Sequence, residues 1–534
     1  MTTRETSEGG GRGTFRASIL TLVVLLSQGA LVAVIYWPTL QLGFVSDSWV
    51  YLGRLHTGVW ATVTTATGYH YQPVACAWIA IIRVCFGDNA LAFQAVNMAQ
   101  VGLLAYLAYQ LGRRLLPDAG IAFVGSLLVI GNNAFYEASY WPLNGNMHLL
   151  AAQLYVAAVI LACDVARGRF GAGGPWLLCG TVLAAIFTHP AMVTALPVCA
   201  LTMLLAGDGP AESRADARVR KFKALLPLAG VVVLFAWSRS VFAAEIDLGP
   251  RPGFEPIRAY WLVSRGLLAV FSLRGSHDVV HGLLTFGTNA GFASVELWAY
   301  VAGWLAVATV AAGICLWRAR TPGLRVLIGF LAIHVVIAAI AGGMSSRQSH
   351  LPAVPASLLT AWALHVAARR LATVVATTRG ALVCSQIPAV GILLLIVAAQ
   401  PDHVTSAEVH TRAGNLSRAL FEQIKFHASA GRGPVHFTLV NMPAYTIERN
   451  IGAATFANGL NELAVLASPE VASLQLVRLS IPSAPADFAN GSVPVELNSL
   501  RPLVRDPSRV VLLFEMPSAL SVLTPERLDS FASR

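Results

Sequence analysis

Long apolar runs separated by short polar segments dominate the first 400 residues of the chain. A membrane-spanning helix needs roughly 20 apolar residues, and the alternation predicts about eleven transmembrane helices. They cover residues 18–40, 90–111, 119–135, 147–166, 175–188, 191–206, 224–243, 293–316, 326–343, 353–368 and 380–399. After residue 400 the pattern changes to short strand-like runs, such as 435–440 and 509–516, bounded by Gly and Pro. We therefore expect an all-α polytopic membrane domain, residues 18–399, and a small C-terminal α/β domain, residues 400–534, with a helix near 411–429.

Two longer segments, 41–89 and 244–292, interrupt the alternation, and both are predicted to lie outside the cell membrane. Within the first, residues 73–87 are apolar but too short to span, and Arg83 interrupts them, so they indicate a juxtamembrane or re-entrant helix. Lys and Arg cluster between alternate spans. By the positive-inside rule this places the amino terminus in the cytoplasm and the C-terminal domain on the extracytoplasmic side of a plasma (inner) membrane. Residues 1–17 have the composition of a disordered cytoplasmic tail.

Composition supports this membrane assignment and excludes several function classes. The 534 residues are 56% hydrophobic and only 12% charged, whereas soluble domains carry about 25% charged residues. The net charge of +10 does not indicate nucleic-acid binding, because most of the basic residues sit in short loops beside the spans. The seven cysteines lie in apolar stretches without a CxxC pair, which is typical of small buried residues. The chain has no Walker loop, dinucleotide-binding glycine motif, HExxH or GxSxG in a suitable context.

Polar residues collect at the predicted outer surface, where a functional site and a structural role must both be considered. The set comprises Asp47, His70, Glu137, His148, His189, Arg347 and His350. Polar groups at membrane depth usually face a cavity or a partner. Topology alone does not show that these residues meet. Asp47 could instead cap the following helix, segment 132–148 could be an aromatic belt with a turn, and Arg347 could pair with Asp47 or Glu137.

The chemistry of these residues suits recognition of a sugar and a phosphate. A carboxylate such as Asp47 can take the proton of an attacking hydroxyl as the new bond forms. Trp141 is suited to stacking on a sugar, and Glu137 and Asn144 to bonding its hydroxyls. Arg347 is the sole basic residue of its predicted outer loop, and a guanidinium binds phosphate with two parallel hydrogen bonds.

Five segments, taken in order, resemble the GT-C class of membrane glycosyltransferases, which includes protein O-mannosyltransferases and aminoarabinose transferases. They are FVSDSWVYL, YHYQPVACAWIAII, FYEASYWPLNGNMHLL, FTHPAMVTALP and SSRQSHLPAVP. The resemblance is one of layout and covers about residues 20–400. The chain departs from the family pattern at four places: Ser48 stands for the second aspartate, Gln72 for an arginine, Thr188–His189 for a Lys-Glu turn, and Gln348 for a tyrosine.

The resemblance implies transfer of a sugar, with inversion, from a polyprenyl-phosphate donor to an extracytoplasmic glycan, lipid or protein. Asp47 would be the base, and Arg347, His189 and His350 would bind the donor phosphate. The remaining candidates for substrate binding are His70, Glu137, Trp141, Asn144 and His148. The partners of the protein would be these substrates and membrane lipids, with no nucleic acid. The resemblance leaves a divalent cation as a possible cofactor, although the replacement of the second aspartate by Ser48 weakens a metal site. Two alternatives stay open: a lipid or polysaccharide transporter (flippase), which predicts broken helices and inverted repeats, and a catalytically inactive scaffold.

Overall fold

The computed structural model describes residues 9–64, 71–132, 134, 136–206, 214–242, 270, 321–340, 346–375, 378–430, 434–448, 451–481, 483–485, 488–516 and 519–532. At some of these positions, including Glu137 and Arg347, only the backbone is described. Most of the predicted loop 244–292 and the predicted span 293–316 fall in the parts of the chain that are not described.

Helices form the first 430 residues. Their bounds are α1 (Gly9–Tyr36), α2 (Asp47–Thr57), α3 (Val59–Thr64), α4 (Pro73–Phe86), α5 (Ala90–Leu115), α6 (Ala119–Gly131), α7 (Tyr136–Ser139), α8 (Pro142–Ala166), α9 (Gly174–Thr188), α10 (Ala195–Leu205), α11 (Arg214–Phe242), α12 (Pro322–Ile340), α13 (Ser346–Val375), α14 (Thr378–Ser385) and α15 (Ile387–Ala430). Short 3₁₀ turns occupy Trp37–Gln41, Gly171–Gly173 and Pro190–Thr194.

Six helical segments among the described residues are long and apolar enough to cross a membrane, namely Ile19–Gln41, Ala90–Leu115, Pro142–Ala166, Gly171–Thr188, His350–Val375 and Ile387–Ala430. Shorter apolar helices cover Pro73–Phe86, Ala119–Gly131, Pro190–Leu205 and Pro322–Ile337. These elements confirm a multi-pass, helical membrane domain. The total of eleven spans and their orientation stay predictions.

Helix α8 lies at the centre of the membrane domain. It packs against α5, α9 and α10, and its residues are buried on every side rather than along one stripe. A helix that is apolar all round belongs in the interior of a bundle. Its 25 residues extend about 37 Å at 1.5 Å per residue, so α8 connects the two ends of the domain.

The C-terminal domain is the α/β unit that the sequence predicts. Its elements are β1 (Val435–Val440), β2 (Tyr445–Glu448), β3 (Ile451–Ala454), α16 (Leu460–Ala467), β4 (Val471–Leu479), β5 (Val493–Val495), α17 (Leu497–Arg505), β6 (Arg509–Glu515), β7 (Ala519–Val522) and α18 (Pro525–Ala532). Five strands form a sheet in the order β5-β4-β1-β6-β7, in which only the β6–β7 pairing is antiparallel. The two remaining strands, β2 and β3, form a separate antiparallel hairpin.

Apolar side chains cover both faces of the five-stranded sheet. On one face Phe437 and Phe514 belong to the same buried cluster as Leu420 and Ile424 of α15. On the other, Val440, Val511 and Leu513 pack with residues of α17 and α18. The alternation of side chains along each strand sends successive residues to opposite faces, which explains why these central strands are almost continuously apolar.

Three element boundaries differ from those expected. Helix α1 begins at Gly9, within the segment for which the composition predicts a disordered tail; extending an existing helix costs far less than starting one. Helix α11 begins at Arg214, so the basic loop predicted before residue 224 is largely helical. The boundary expected at residue 400 lies inside α15, which runs without interruption from Ile387 to Ala430. Here the change to polar residues marks where the helix changes its surroundings, not where it ends.

Candidate active site

The segment before α2 has an unusual backbone that places Asp47 at the first position of the helix. Ser46 has a φ of 45°, a conformation that non-glycine residues seldom adopt. Its amide donates to the Thr455 carbonyl oxygen at 2.9 Å, and its Oγ accepts from the Asn458 amide at 3.3 Å. Both partners belong to the chain segment between β3 and α16. The C-terminal domain therefore holds the turn from which the Asp47 side chain projects.

The Asp47 carboxylate is partly exposed and lies between two asparagines from different domains. Its Oδ1 accepts from Asn458 Nδ2 at 2.8 Å, and its Oδ2 is 3.5 Å from Asn144 Nδ2. Asn458 in turn accepts from Asn490 Nδ2 at 3.0 Å. The first contact is a well-formed hydrogen bond, whereas the second is at the outer limit of one. Oδ2 is thus the oxygen with greater capacity to accept another proton donor.

Asn144 lies in the first turn of α8, and its side-chain oxygen is an unused hydrogen-bond acceptor. Its side chain is 3% exposed, and its Oδ1 has no hydrogen-bond partner among the described residues. Buried amide oxygens are normally satisfied. The Asn144 Oδ1 could accept a hydrogen bond from a hydroxyl or an amine.

A ladder of amide side chains on α5 fixes the start of α8 in place. Gln94 Nε2 donates to the Ser139 carbonyl at 2.6 Å, and Asn97 Nδ2 lies 3.2 Å from the carbonyls of Trp141 and Pro142. One turn further along, Gln100 donates to Asn146 at 3.0 Å. These residues recur at intervals of three, so they share one face of α5. They satisfy the backbone of the turn that precedes α8 and so position Asn144.

Three of the predicted histidines come together one helical turn from Asn144. The ring centroids of His148 and His189 are 5.0 Å apart, and those of His148 and His350 are 5.9 Å apart. They come from α8, from the end of α9 and from the start of α13. Asn144 and His148 are four residues apart on α8 and therefore on the same face. His189 Nδ1 also accepts from the Ala191 amide at 3.3 Å, which caps the short 3₁₀ turn that follows.

The structure thus brings together Asp47, Asn144, His148, His189 and His350. Trp141 lies beside them, but it is 3% exposed and its Nε1 donates to the Val45 carbonyl at 3.3 Å. This contact supports the turn before Asp47, so a role for Trp141 in stacking on a sugar stays a prediction. His70 lies outside the described residues, as do the side chains of Glu137 and Arg347.

Sequence reasoning missed the two asparagines of the C-terminal domain. Asn458 and Asn490 lie more than 400 residues after Asp47 and belong to no motif. One local signal was present: Asn458 precedes Gly459, which has a φ of 82°, and Asn-Gly pairs are common in tight turns. That signal predicts a turn but does not say what the turn contacts.

The opposite end of α8 carries an ion-pair cluster around a buried aspartate. Asp164, with its side chain 4% exposed, binds Arg114 at 2.8 Å and Arg169 at 3.0 Å, and Arg167 donates to the Arg114 carbonyl at 2.8 Å. The acidic and amide groups near Asp47 and this basic cluster are separated by the length of α8. Such an asymmetry is what the positive-inside rule expects of the two sides of a membrane.

The described residues around Asp47 do not fit a metal ion. No group of three or more His, Cys, Asp or Glu side chains suited to a metal occurs in the described part of the chain. The assigned contacts of Asp47 are amide N–H donors, which cannot be ligands. Ser48, which stands where the family pattern has a second aspartate, is fully buried.

Known proteins match this chain in fold but not in sequence. No protein-family model matches the chain, and no curated protein sequence matches it. Among solved structures, ArnT from Cupriavidus metallidurans in the apo state is 12% identical, with a TM-score of 0.50 over 98% of this chain and 95% of that one. The chain therefore has a GT-C-like fold, shared with that structure. The expectation drawn from the order of five short segments is confirmed at the level of the fold.

Two further structures are more distant from this chain. ArnT from Cupriavidus metallidurans bound to undecaprenyl phosphate is 12% identical, with a TM-score of 0.45 over 97% of this chain and 94% of that one. The oligosaccharyltransferase AglB from Archaeoglobus fulgidus, in complex with an inhibitory peptide and a dolichol-phosphate, is 13% identical, with a TM-score of 0.42 over 79% of this chain. The chain spans 62% of the length of AglB.

Proposed function

We propose that this protein is a membrane glycosyltransferase that moves a sugar from a polyprenyl-phosphate donor to an extracytoplasmic acceptor, with inversion at the anomeric carbon. The acceptor would be a cell-envelope glycan, a lipid or a protein. Asp47 is the base. The proposal places the protein in the plasma (inner) membrane, with the amino terminus in the cytoplasm and the C-terminal domain outside.

One observation carries the proposal: the partly exposed Asp47 carboxylate lies at the junction of the two domains, where its Oδ1 accepts from Asn458 Nδ2 at 2.8 Å and its Oδ2 is 3.5 Å from Asn144 Nδ2. The carboxylate, together with the neutral Asn144 Oδ1, which has no partner among the described residues, offers acceptors for the hydroxyls of a substrate. A buried amide oxygen that accepts no hydrogen bond destabilises a protein by about 1–3 kcal/mol. A substrate hydroxyl that donates to this oxygen would therefore gain binding energy.

The histidine cluster is the proposed site of the donor phosphate. The rings of His189 and His350 lie 5.0 Å and 5.9 Å from the ring of His148, and imidazole N–H groups can donate to phosphate oxygens. Arg347 precedes His350 by three residues in the first turn of α13, and we assign it to the same phosphate. A guanidinium there would stabilise the charge that builds on the departing phosphate. His148, with His70, Glu137 and Trp141, would shape the sugar pocket.

The transfer is a single displacement. The acceptor oxygen attacks the anomeric carbon from the face opposite the phosphate and forms the new C–O bond. The bond from the anomeric carbon to the phosphate oxygen breaks, and the electron pair leaves with the polyprenyl phosphate. Asp47 Oδ2 takes the proton of the acceptor hydroxyl. No carboxylate nucleophile is needed because no covalent glycosyl-enzyme forms, and no general acid is needed because the phosphate leaves as a stable anion.

A strain that lacks the protein tests this proposal. Lipid extracts of its membranes should contain more polyprenyl-phosphate-linked sugar than those of the parent, measured by liquid chromatography and mass spectrometry. Wild-type protein should return the pool to its normal size, whereas the D47N variant, expressed to the same level, should not. Asp88 pairs with Arg83 on an exposed part of the chain, so D88N is the matched control and should behave as wild type.

Two outcomes would overturn the proposal. Restoration of the normal pool by D47N would remove Asp47 from the reaction. Accumulation of the lipid-linked sugar on the cytoplasmic leaflet alone in the deletion strain would favour a transporter.

A further inference from the structure

The C-terminal domain is fastened to the Asp47 region at several points. Trp49 Nε1 donates to Ser417 Oγ at 2.8 Å, and its ring stacks on Phe421 with centroids 5.5 Å apart. Gly43 and Gly414 meet backbone to backbone, such that a Cβ on Gly414 would lie 2.6 Å from the Gly43 nitrogen. These contacts fix α15, and with it the domain, against the segment that leads into α2.

Asn458 is the residue through which this domain touches the proposed base. Its backbone is held by the bond to Ser46 Oγ, and its side-chain oxygen accepts from Asn490. Gly459, the next residue, packs so closely on Ser46 that a Cβ would lie 2.6 Å from the Ser46 carbonyl oxygen. The Asn458 amide group therefore has a fixed direction, with its N–H aimed at Asp47 Oδ1.

We propose that Asn458 is a positioning residue for Asp47, so that docking of the C-terminal domain is a condition of catalysis. The inference rests on the proposed function. The bond of 2.8 Å to Oδ1 engages one carboxylate oxygen and stops rotation of the group. Oδ2 then remains directed to Asn144 and to the acceptor hydroxyl. Because a displacement of about 1 Å can reduce a rate by roughly 100-fold, loss of this one donor should matter although Asn458 never touches the substrate.

Asn458 and Asn490 are both exposed, so their substitution should leave the protein folded. We expect N458A to lower the rate of sugar transfer about 10- to 100-fold and N490A to lower it by less, about threefold, since Asn458 then loses only its outer support. The assay uses purified full-length protein. Its donor is lipid-linked sugar extracted from the deletion strain, and its acceptor is envelope material from that strain.

The isosteric variant N458D separates positioning from packing. A carboxylate at this position fills the same space but cannot donate, and it repels Asp47. If Asn458 acts as a donor, N458D should be slower than N458A near neutral pH and should recover as the pH is lowered, because a protonated carboxyl group donates. A purely structural role predicts that N458D resembles wild type and that its pH profile does not change.

The outcomes distinguish this inference from the proposed function. Transfer by D47N would refute the proposed function itself. Loss of transfer in D47N, with wild-type rates in N458A and N458D, would refute only the role of Asn458. If N458A fails to fold, N490A decides: a lower rate in folded protein supports positioning, and an unchanged rate contradicts it.

Discussion

Gly145 offers a sharp test of how the start of α8 positions the site. It lies next to Asn144 in α8, where the bundle leaves no room for a side chain. A Cβ at this position would overlap the Ala138 carbonyl oxygen and would lie 2.7 Å from Asn97 Nδ2. Real Cβ atoms essentially never approach other atoms this closely. The G145A variant must therefore move α7 away from α8, displace Asn97, or both.

The cost follows from the contacts that are disturbed. Overpacking of a buried position typically costs about 1–3 kcal/mol. Displacing Asn97 also breaks its contacts with the carbonyls of Trp141 and Pro142, and a buried group left unsatisfied costs about 1–3 kcal/mol. We expect G145A to lower the free energy of unfolding by about 2–5 kcal/mol. Transfer should fall as well, because Asn144 moves with the backbone.

The assay is thermal unfolding of the purified protein in detergent, followed by the transfer rate of the fraction that remains folded. Gly180 is the matched control: it also lies within a helix, α9, but nothing occupies the space within 4 Å of a Cβ placed on it. G180A should be neutral or slightly stabilising, since alanine favours a helix by about 1 kcal/mol over glycine. Equal unfolding temperatures for G145A and G180A would refute the packing described for this turn.

Two further predictions concern buried charge. R114A should destabilise the protein by about 3 kcal/mol, because the buried Asp164 then keeps the exposed Arg169 as its remaining ion-pair partner among the described residues. The control R83A breaks the exposed pair with Asp88 and should cost less than about 1 kcal/mol. Similar losses of unfolding free energy in the two variants would contradict this account. S48D, which restores the aspartate pair of the family pattern, should lower the free energy of unfolding by at least about 2 kcal/mol because Ser48 is fully buried. A faster, metal-dependent transfer by S48D would contradict this expectation and show that the position faces the site.

The fold could be predicted largely because bilayer physics leaves few choices. Apolar runs of the required length became helices, and the strand-like runs 435–440 and 509–516 became β1 and β6. The element boundaries differ where a change to polar residues was taken to mark the end of a helix. Gly9, Arg214 and residue 400 all lie within or at the start of helices, because a helix continues from lipid into water without a change in its backbone hydrogen bonds.

The candidate site was predictable only in part. Asp47, His148, His189 and His350 stood out because polar residues are rare beside apolar spans, and the structure brings the three histidines together. Asn458 and Asn490 did not stand out, because asparagine is common in the turns of soluble domains. Their contact with Asp47 depends on how the two domains dock, which no local pattern records. The same holds for Gly145, whose neighbours come from other elements.

The central claim is that the Asp47 carboxylate removes the acceptor proton, and the rate of the purified D47N variant tests it most directly. Asparagine keeps the size of the side chain and, with its amide rotated, can still pair with Asn458. A positioned general base contributes about 10²- to 10⁴-fold to a rate. We predict that D47N, folded and present at the same concentration as wild type, transfers sugar at least about 100-fold more slowly. Transfer within a few-fold of the wild-type rate would contradict the account.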